Sequence, residues 1–207
     1  MMTGDLWFTT STGRYFDLAN PEPPMFDWTD IATALSRQCR FNGHTRWFYS
    51  VAEHSCHVAS LLPDEIAVYG LLHDAHEAYI GDITAPMKSF IMGTGAGLHN
   101  AVHKVIMRDR WKAMEHRIDQ MIYDKAGIPA PTDEIEAQVK RADLTMLATE
   151  RRDLFPGEKH TRPWLIDKEQ VPPADLDIRG WDPETAESEF TLALAGILGE
   201  SVLIAEA

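Results

Sequence analysis

The run His73-Asp74-Ala75-His76-Glu77 gathers imidazole and carboxylate groups, and two distant segments add to them. Upstream, Ser50-Val51-Ala52-Glu53-His54-Ser55 supplies His54; downstream, Arg141-Ala142-Asp143-Leu144 supplies Asp143. One histidine, a His-Asp doublet and a distant aspartate form a mixed nitrogen and oxygen donor set. Such a set suits a hard or borderline divalent metal, and a metal of that kind generates hydroxide for hydrolysis near neutral pH. Glu150 and Asp153 compete with Asp143 for the last place. Asp143 is preferred because Ala142 and Leu144 flank it, as an inward-facing ligand requires.

Other polar residues have two readings each. His76-Glu77 is followed by Ile80 rather than a histidine, so the His-Glu-x-x-His pattern of zinc proteases is absent. His76 is expected on an exposed helix face or supporting the site, and His57 as a packed or capping histidine. His44, beside Arg46 in a Gly-containing loop, is either a substrate contact or a loop hydrogen bond. Arg46 and Lys88 are candidate phosphate ligands, with surface solvation as the ordinary alternative. Arg151-Arg152 reads as a salt-bridged helix end.

The elements that must position these groups are helical. Leu6–Thr10 and Arg14–Leu18 around Ser11-Thr12-Gly13 read as two short strands, a hairpin that must lean on something else. Asp27 caps a helix from Trp28 to about Gln38, which Phe41-Asn42-Gly43 breaks. The Ser50-x-x-Glu53 capping box starts a helix at Val51 that runs to about Leu62. Pro63-Asp64 starts the next, which runs to Tyr79 with Gly81 as its stop, so His73, Asp74 and Glu77 lie near its end. Two helices joined so closely are spatial neighbours, which lets His54 meet the doublet. Asp82–Pro86 reads as a loop. After Gly97 a long helix to about Lys125 carries Trp111, Met114, Ile118 and Met121 on one face. Asp133–Asp153 repeats the pattern, with Asp133–Glu136 a possible capping box. Residues 156–182 read as mostly irregular, and a last helix from Pro183 carries Phe190, Leu192, Leu194 and Ile197.

Composition narrows the class. The chain has 207 residues, 44% hydrophobic, enough for one domain with its own core. Its formal charge, 19 − 32 = −13, opposes contact with a nucleic-acid polymer, which needs Lys and Arg to displace counterions. A small anionic substrate remains possible, because one metal and a few basic side chains reverse the local field. Cys39 and Cys56 sit in apolar helical patterns and read as core thiols of a reducing cytoplasm. No apolar run approaches the ~18–20 residues of a membrane span. The expectation is a cytoplasmic protein without membrane contact.

Three pieces then stand in order: Ala52-Glu53-His54-Ser55, the run from Gly70 through His73-Asp74 and Glu77 to Gly81-Asp82, Pro86 and Lys88, and Ala142-Asp143-Leu144. Over about residues 30–155 the chain resembles the HD-domain phosphohydrolases, and most closely the bacterial 5′-deoxynucleotidase branch with its dNTP triphosphohydrolase relatives. Residues 1–25 and 156–207 are extensions outside the likeness. The resemblance implies an all-α fold, an HD-domain bundle of six or seven main helices over residues 1–207, here with the small N-terminal β-hairpin.

It also implies His54, His73, Asp74 and Asp143 as ligands of one divalent ion, for which cobalt, manganese, zinc, magnesium or iron would serve. Asp74 and Glu77 then form the catalytic pair, with Glu77 orienting or deprotonating the attacking water or protonating the leaving oxygen. Asp82 falls where the family contacts the sugar. Arg40 and Phe41 fall where it grips phosphate and crowds the 2′ position, with Phe in place of an expected Trp and a one-residue change of spacing. The implied activity is release of 5′-phosphate from deoxynucleoside monophosphates. The alternatives are triphosphate release from a dNTP and a non-catalytic nucleotide-sensing domain. The expected partner is a small-molecule nucleotide, and the expected state a homo-oligomer, dimer or higher.

Overall fold

The structure, a computed structural model, describes residues 6–92, 101–155, 157 and 162–199, with backbone alone at 101–104. It is mostly helical, with a two-stranded antiparallel hairpin at the front. Strands β1 (Trp7–Thr9) and β2 (Tyr15–Asp17) pair with Phe8 opposite Phe16. The hairpin leans on α1 (Trp28–Arg37). The buried Asp30 carboxylate accepts bonds of 2.7 Å each from Ser11 Oγ, Thr12 N and Thr12 Oγ1. The Phe16 ring stacks on Tyr79 at 4.2 Å between centroids.

Helix α2 (Val51–Ser60) follows, capped by Ser50, whose side chain accepts from Glu53 N. The capping box is only half made, because the Glu53 carboxylate accepts instead from Trp181 N at 2.8 Å. The helix expected over 63–79 divides into α3 (Ala67–Leu72) and α4 (Glu77–Ile80), with turn geometry at 73–76. Bonds from Ala75 N to Leu72 O and from Glu77 N to Asp74 O have the i to i+3 spacing of a tighter coil. Residues three apart eclipse in such a coil, so Asp74 and Glu77 stand side by side. The Asp82–Pro86 loop gives way at Ala85 to α5 (Ala85–Ile91), with Pro86 in its first turn.

Helices α6 (Ala101–Ala126) and α7 (Asp133–Leu154) are the long pair. The expected start of the first falls among 93–100, outside the described residues. Thr132, not Asp133, caps α7, accepting from Ile135 N. A single turn, α8 (Leu165–Lys168), interrupts the otherwise irregular 162–182, and α9 (Pro183–Leu198) closes the fold. Phe190 and Leu194 of α9 are buried, whereas Leu192 and Ile197 are exposed, so the core face is narrower than expected.

Helix α9 packs on α1, α2 and α3, and α7 lies against α2 and α3. Ile31, Leu35, Val51, Leu71, Ile118 and Phe190 are fully buried in the main core. Cys56 packs against that core, where burial pushes its thiol up to about 12. Cys39 is exposed instead, because the helix ends before it and the chain turns extended through Gln38. No helix among the described residues is long and apolar enough to cross a membrane.

Candidate metal centre

Close approach of α2 and α3 creates the site. A Cβ on Gly70 would stand 2.5 Å from Leu62 Cδ1 and 3.0 Å from Ala59 Cα, so only glycine lets the two helices touch there. His54 projects from the first turn of α2 and is fully buried, and His73 caps the end of α3. His54 Nε2 lies 3.3 Å from His73 Nε2, 3.4 Å from Asp143 Oδ1 and 3.7 Å from Asp74 Oδ2. His73 Nε2 lies 3.1 Å from Asp74 Oδ2. Donors about 2.1 Å from one ion stand about 3.0 Å apart at a right angle and about 3.4 Å apart at a tetrahedral angle. The structure therefore brings three of the expected ligands, His54, His73 and Asp74, to the spacing of one coordination shell, with Asp143 beside them at His54.

The ring tautomers fit the same conclusion. His73 Nδ1 is 2.7 Å from Gly70 O, an oxygen that only accepts, so Nδ1 carries the hydrogen. His54 Nδ1 is 2.6 Å from Glu150 Oε1 and likewise donates. When both rings are neutral, two Nε2 lone pairs and the Asp74 carboxylate converge, with the Asp143 carboxylate close to His54 Nε2. That arrangement repels itself unless a proton or a cation lies among the donors. The cluster can hold a metal ion.

Glu150, read from sequence as a rival ligand, bonds His54 Nδ1 on the side of the ring away from the cluster. Burial opposes its charge, but Arg40 and His54 outweigh burial and keep its carboxyl below the usual range. A metal-ligating histidine commonly donates its other nitrogen to such a carboxylate, which fixes the ring and raises its basicity. For His54, burial and Arg40 disfavour a positive ring; Glu150 and Asp143 prevail and push its pKa up to about 9. Asp74 and Asp143 are both held low against their burial, Asp74 chiefly by His73 and Asp143 chiefly by His54.

Glu77 is buried beside this shell, and one of its carboxylate atoms lies within 4.8 Å of donor atoms on Asp74 and His76. Its Oε2 has no hydrogen-bond partner among the described residues. Burial, then the charges of Asp74 and Asp82, push its pKa up to about 10. His76 is buried, not exposed, because its Nδ1 bonds Asp119 on α6 at 2.9 Å. Gln38 had no signal in sequence beyond ending a helix. Its Nε2 donates to Glu77 O at 3.0 Å and its Oε1 accepts from Asp82 N at 2.9 Å, bracing both acids. Bonds from Arg40 N to Tyr49 O and from Val51 N to Gln38 O fix this strand-like stretch to the start of α2.

Of the remaining expected residues, Arg40 reaches the cluster directly, with Nη1 3.4 Å from Asp74 Oδ2 and Nη2 3.4 Å from Glu150 Oε2. Phe41 and Asn42 adopt left-handed backbone, with φ of 56° and 53°, unusual for non-glycine residues. The Phe41 ring packs edge-on against Phe155 at 5.1 Å. Asp82 is half-buried, and burial raises its carboxyl. Lys88 pairs with Glu115 at 3.1 Å, and His44 and Arg46 are exposed. His57 packs on Trp181, its ring 5.2 Å away. Arg151 pairs with Asp167 of α8, and Arg152 with Asp153 at 2.7 Å, as expected of a salt-bridged helix end.

No protein-family model matches the sequence. The chain is 41% identical over 140 residues to the uncharacterized protein YfdR of Escherichia coli, covering 68% of this chain and 66% of that protein. It is 31% identical over 145 residues to an uncharacterized protein of Rhodobacter capsulatus, covering 66% of this chain and 64% of that protein. The chain thus spans just under two thirds of the length of the curated relatives it matches.

Proposed function

We propose that the protein is a divalent-metal-dependent phosphohydrolase of the HD-domain type that releases phosphate from deoxynucleoside 5′-monophosphates. The observation that carries this reading is the convergence of His54, His73 and Asp74, with Asp143 beside His54, next to a buried Glu77 whose Oε2 has no partner among the described residues. A divalent ion held by those four residues, when bound, acidifies water toward a pKa of ~7 and offsets phosphoryl charge.

The protein's residues supply the rest. Glu150 and Gly70 O fix the two imidazoles so that both Nε2 atoms face the reacting end of the substrate. Glu77, whose carboxyl stays protonated at neutral pH without a cation nearby, exchanges a proton with the attacking water or the leaving 5′-oxygen. Its burial limits exchange of that proton with bulk solvent. Gln38 braces the backbone of Glu77 and of Asp82 from one side chain, which steadies the acid against the centre.

A monophosphate is favoured over a triphosphate by charge. Near the centre Arg40 is already paired with Asp74 and Glu150, and Lys88 with Glu115, which leaves Lys140, beside Asp143, as the cation able to turn to a phosphate. A long polyanion would find little free positive charge there. Glu77 also separates this reading from a sensing domain, which has no need of a proton-handling acid. The test is incubation of metal-loaded protein with dNMPs, NMPs and dNTPs, followed by separation of phosphate, pyrophosphate and tripolyphosphate. Phosphate from dNMPs supports the reading; tripolyphosphate from dNTPs, or no product, overturns it.

A further inference from the structure

A cavity of about 420 Å³ opens onto the metal centre from a side that the expected substrate residues do not line. His73, Asp74 and Asp143 are among its lining residues. Its wall is largely apolar, built by Tyr69 of α3, Tyr123 of α6, Pro131 ahead of α7 and Val139 on α7. The two tyrosine rings meet edge to face at 5.9 Å, and Tyr69 is anchored by its hydroxyl donating to Pro129 O at 3.1 Å. Glu136 and Lys140, both exposed, complete the lining.

Residues 136, 139, 140 and 143 recur at the spacing that lines one face of a helix. The face of α7 that presents ligand Asp143 therefore also presents Lys140, Val139 and Glu136 to the cavity. From 143 to 136 that face covers about 10 Å along the axis. The order of chemistry along it is metal ligand, cation, apolar surface, acid. A phosphate, a flat apolar group and a hydrogen-bond donor, joined in that order, would match it. A nucleoside 5′-monophosphate has that order, its base carrying amino or imino hydrogens at the far edge.

Resting on the nucleotidase reading, we propose that this cavity seats the nucleoside 5′-monophosphate, with Lys140 on its phosphate and the Tyr69, Tyr123 and Val139 wall against its base. Lys140 is the one cationic side chain among the cavity's lining residues apart from the ligand histidine. Its Nζ stands 2.8 Å from Asp143 Oδ2 and its side chain is 62% exposed, so it can swing from that carboxylate to an arriving phosphate. Glu136 at the other end accepts a hydrogen bond from the base edge. Arg40 and Phe41 then stand behind the centre and shape it without touching the base.

The test uses the full chain loaded with manganese, in a Glu77→Gln background so that dAMP is bound without being consumed. Dissociation constants for dAMP come from calorimetry and manganese content from elemental analysis. Lys140→Ala should weaken dAMP about tenfold to a hundredfold, the usual effect of losing a charged hydrogen bond, with manganese content unchanged. Lys140→Arg should recover most of that loss. Glu136→Trp, an exposed substitution that fills the cavity, should weaken dAMP at least tenfold. Binding within twofold of the parent in both Lys140→Ala and Glu136→Trp overturns the seat but leaves the nucleotidase reading standing. Loss of manganese in Lys140→Ala also overturns it, because the lysine would then be serving only Asp143. No dAMP binding by the parent overturns the seat and the nucleotidase reading together.

Discussion

His54 Nδ1 lies 2.6 Å from Glu150 Oε1, and both side chains are fully shielded from solvent. The pair joins α2 to α7 and turns the other nitrogen of His54 toward His73, Asp74 and Asp143. Glu150 also anchors Arg40, so one carboxylate serves both the ring and the guanidinium.

Glu150→Gln should therefore weaken metal affinity about tenfold to a hundredfold, the usual effect of removing a carboxylate behind a ligand histidine. Glu150→Ala should do more, because it leaves Arg40 buried and short of a partner, destabilising the fold by about 3–5 kcal/mol. Metal titration and chemical unfolding of the two variants check this.

Glu77→Ala should retain the metal and lower kcat by about two orders of magnitude or more. Single-turnover phosphate release measured beside elemental analysis separates chemistry from metal loss. Near-normal kcat would hand the proton-handling role to another group, His76 being closest in chemistry and place.

Gln38→Ala and Gln38→Glu should both lower kcat about tenfold to a hundredfold, the scale of misplacing a reacting group, with metal content unchanged. Glutamate keeps the acceptor toward Asp82 N but has no donor for Glu77 O when ionised. Its activity should recover toward acid pH as that carboxyl gains a proton, which alanine cannot reproduce.

Asp30 gives a pH-dependent term far from the site. Burial works against its carboxylate, but donors on Ser11 and Thr12 outweigh that and hold its pKa below the ordinary 3.8. A group with a lowered folded pKa contributes fully above its unfolded value and loses the contribution as pH falls through the folded one. Asp30→Ala should cost about 1–2 kcal/mol at neutral pH. That is roughly 2–4 °C of Tm per kcal/mol in a chain of this size. The gap between variant and parent should narrow below about pH 4, as thermal melts at several pH values would show.

Local signals were readable where a side chain acts on its own neighbourhood. Asp27 and Ser50 cap helices through bonds two and three residues away, and the segments bearing His54, His73, Asp74 and Asp143 occupy helices or turns close to where periodicity put them. The break at 73–76 was not readable, since the apolar pattern runs through it. Turning the chain there depends on His73 bonding back to Gly70 and on tertiary packing of α3. The supports of the site were hidden for a similar reason. Glu150 meets His54 from 96 residues away, Asp119 meets His76 from 43, and Gln38 meets Glu77 from 39. Such pairs leave no periodic trace. One hint existed, in that Glu150 stands two turns beyond Asp143 on the same helix face. Exposure of Cys39 and Leu192 likewise depends on where helices end or lack a neighbour.

On the reading proposed above, His54, His73, Asp74 and Asp143 hold one ion on which hydrolysis depends. Elemental analysis of desalted, manganese-loaded protein tests it most directly, with His73→Ala beside the parent and helical content checked by circular dichroism. The parent should retain about one ion per chain, given the clustered donors, and the variant should be folded yet essentially free of metal. An empty parent, or a variant that keeps its full complement, would contradict the account.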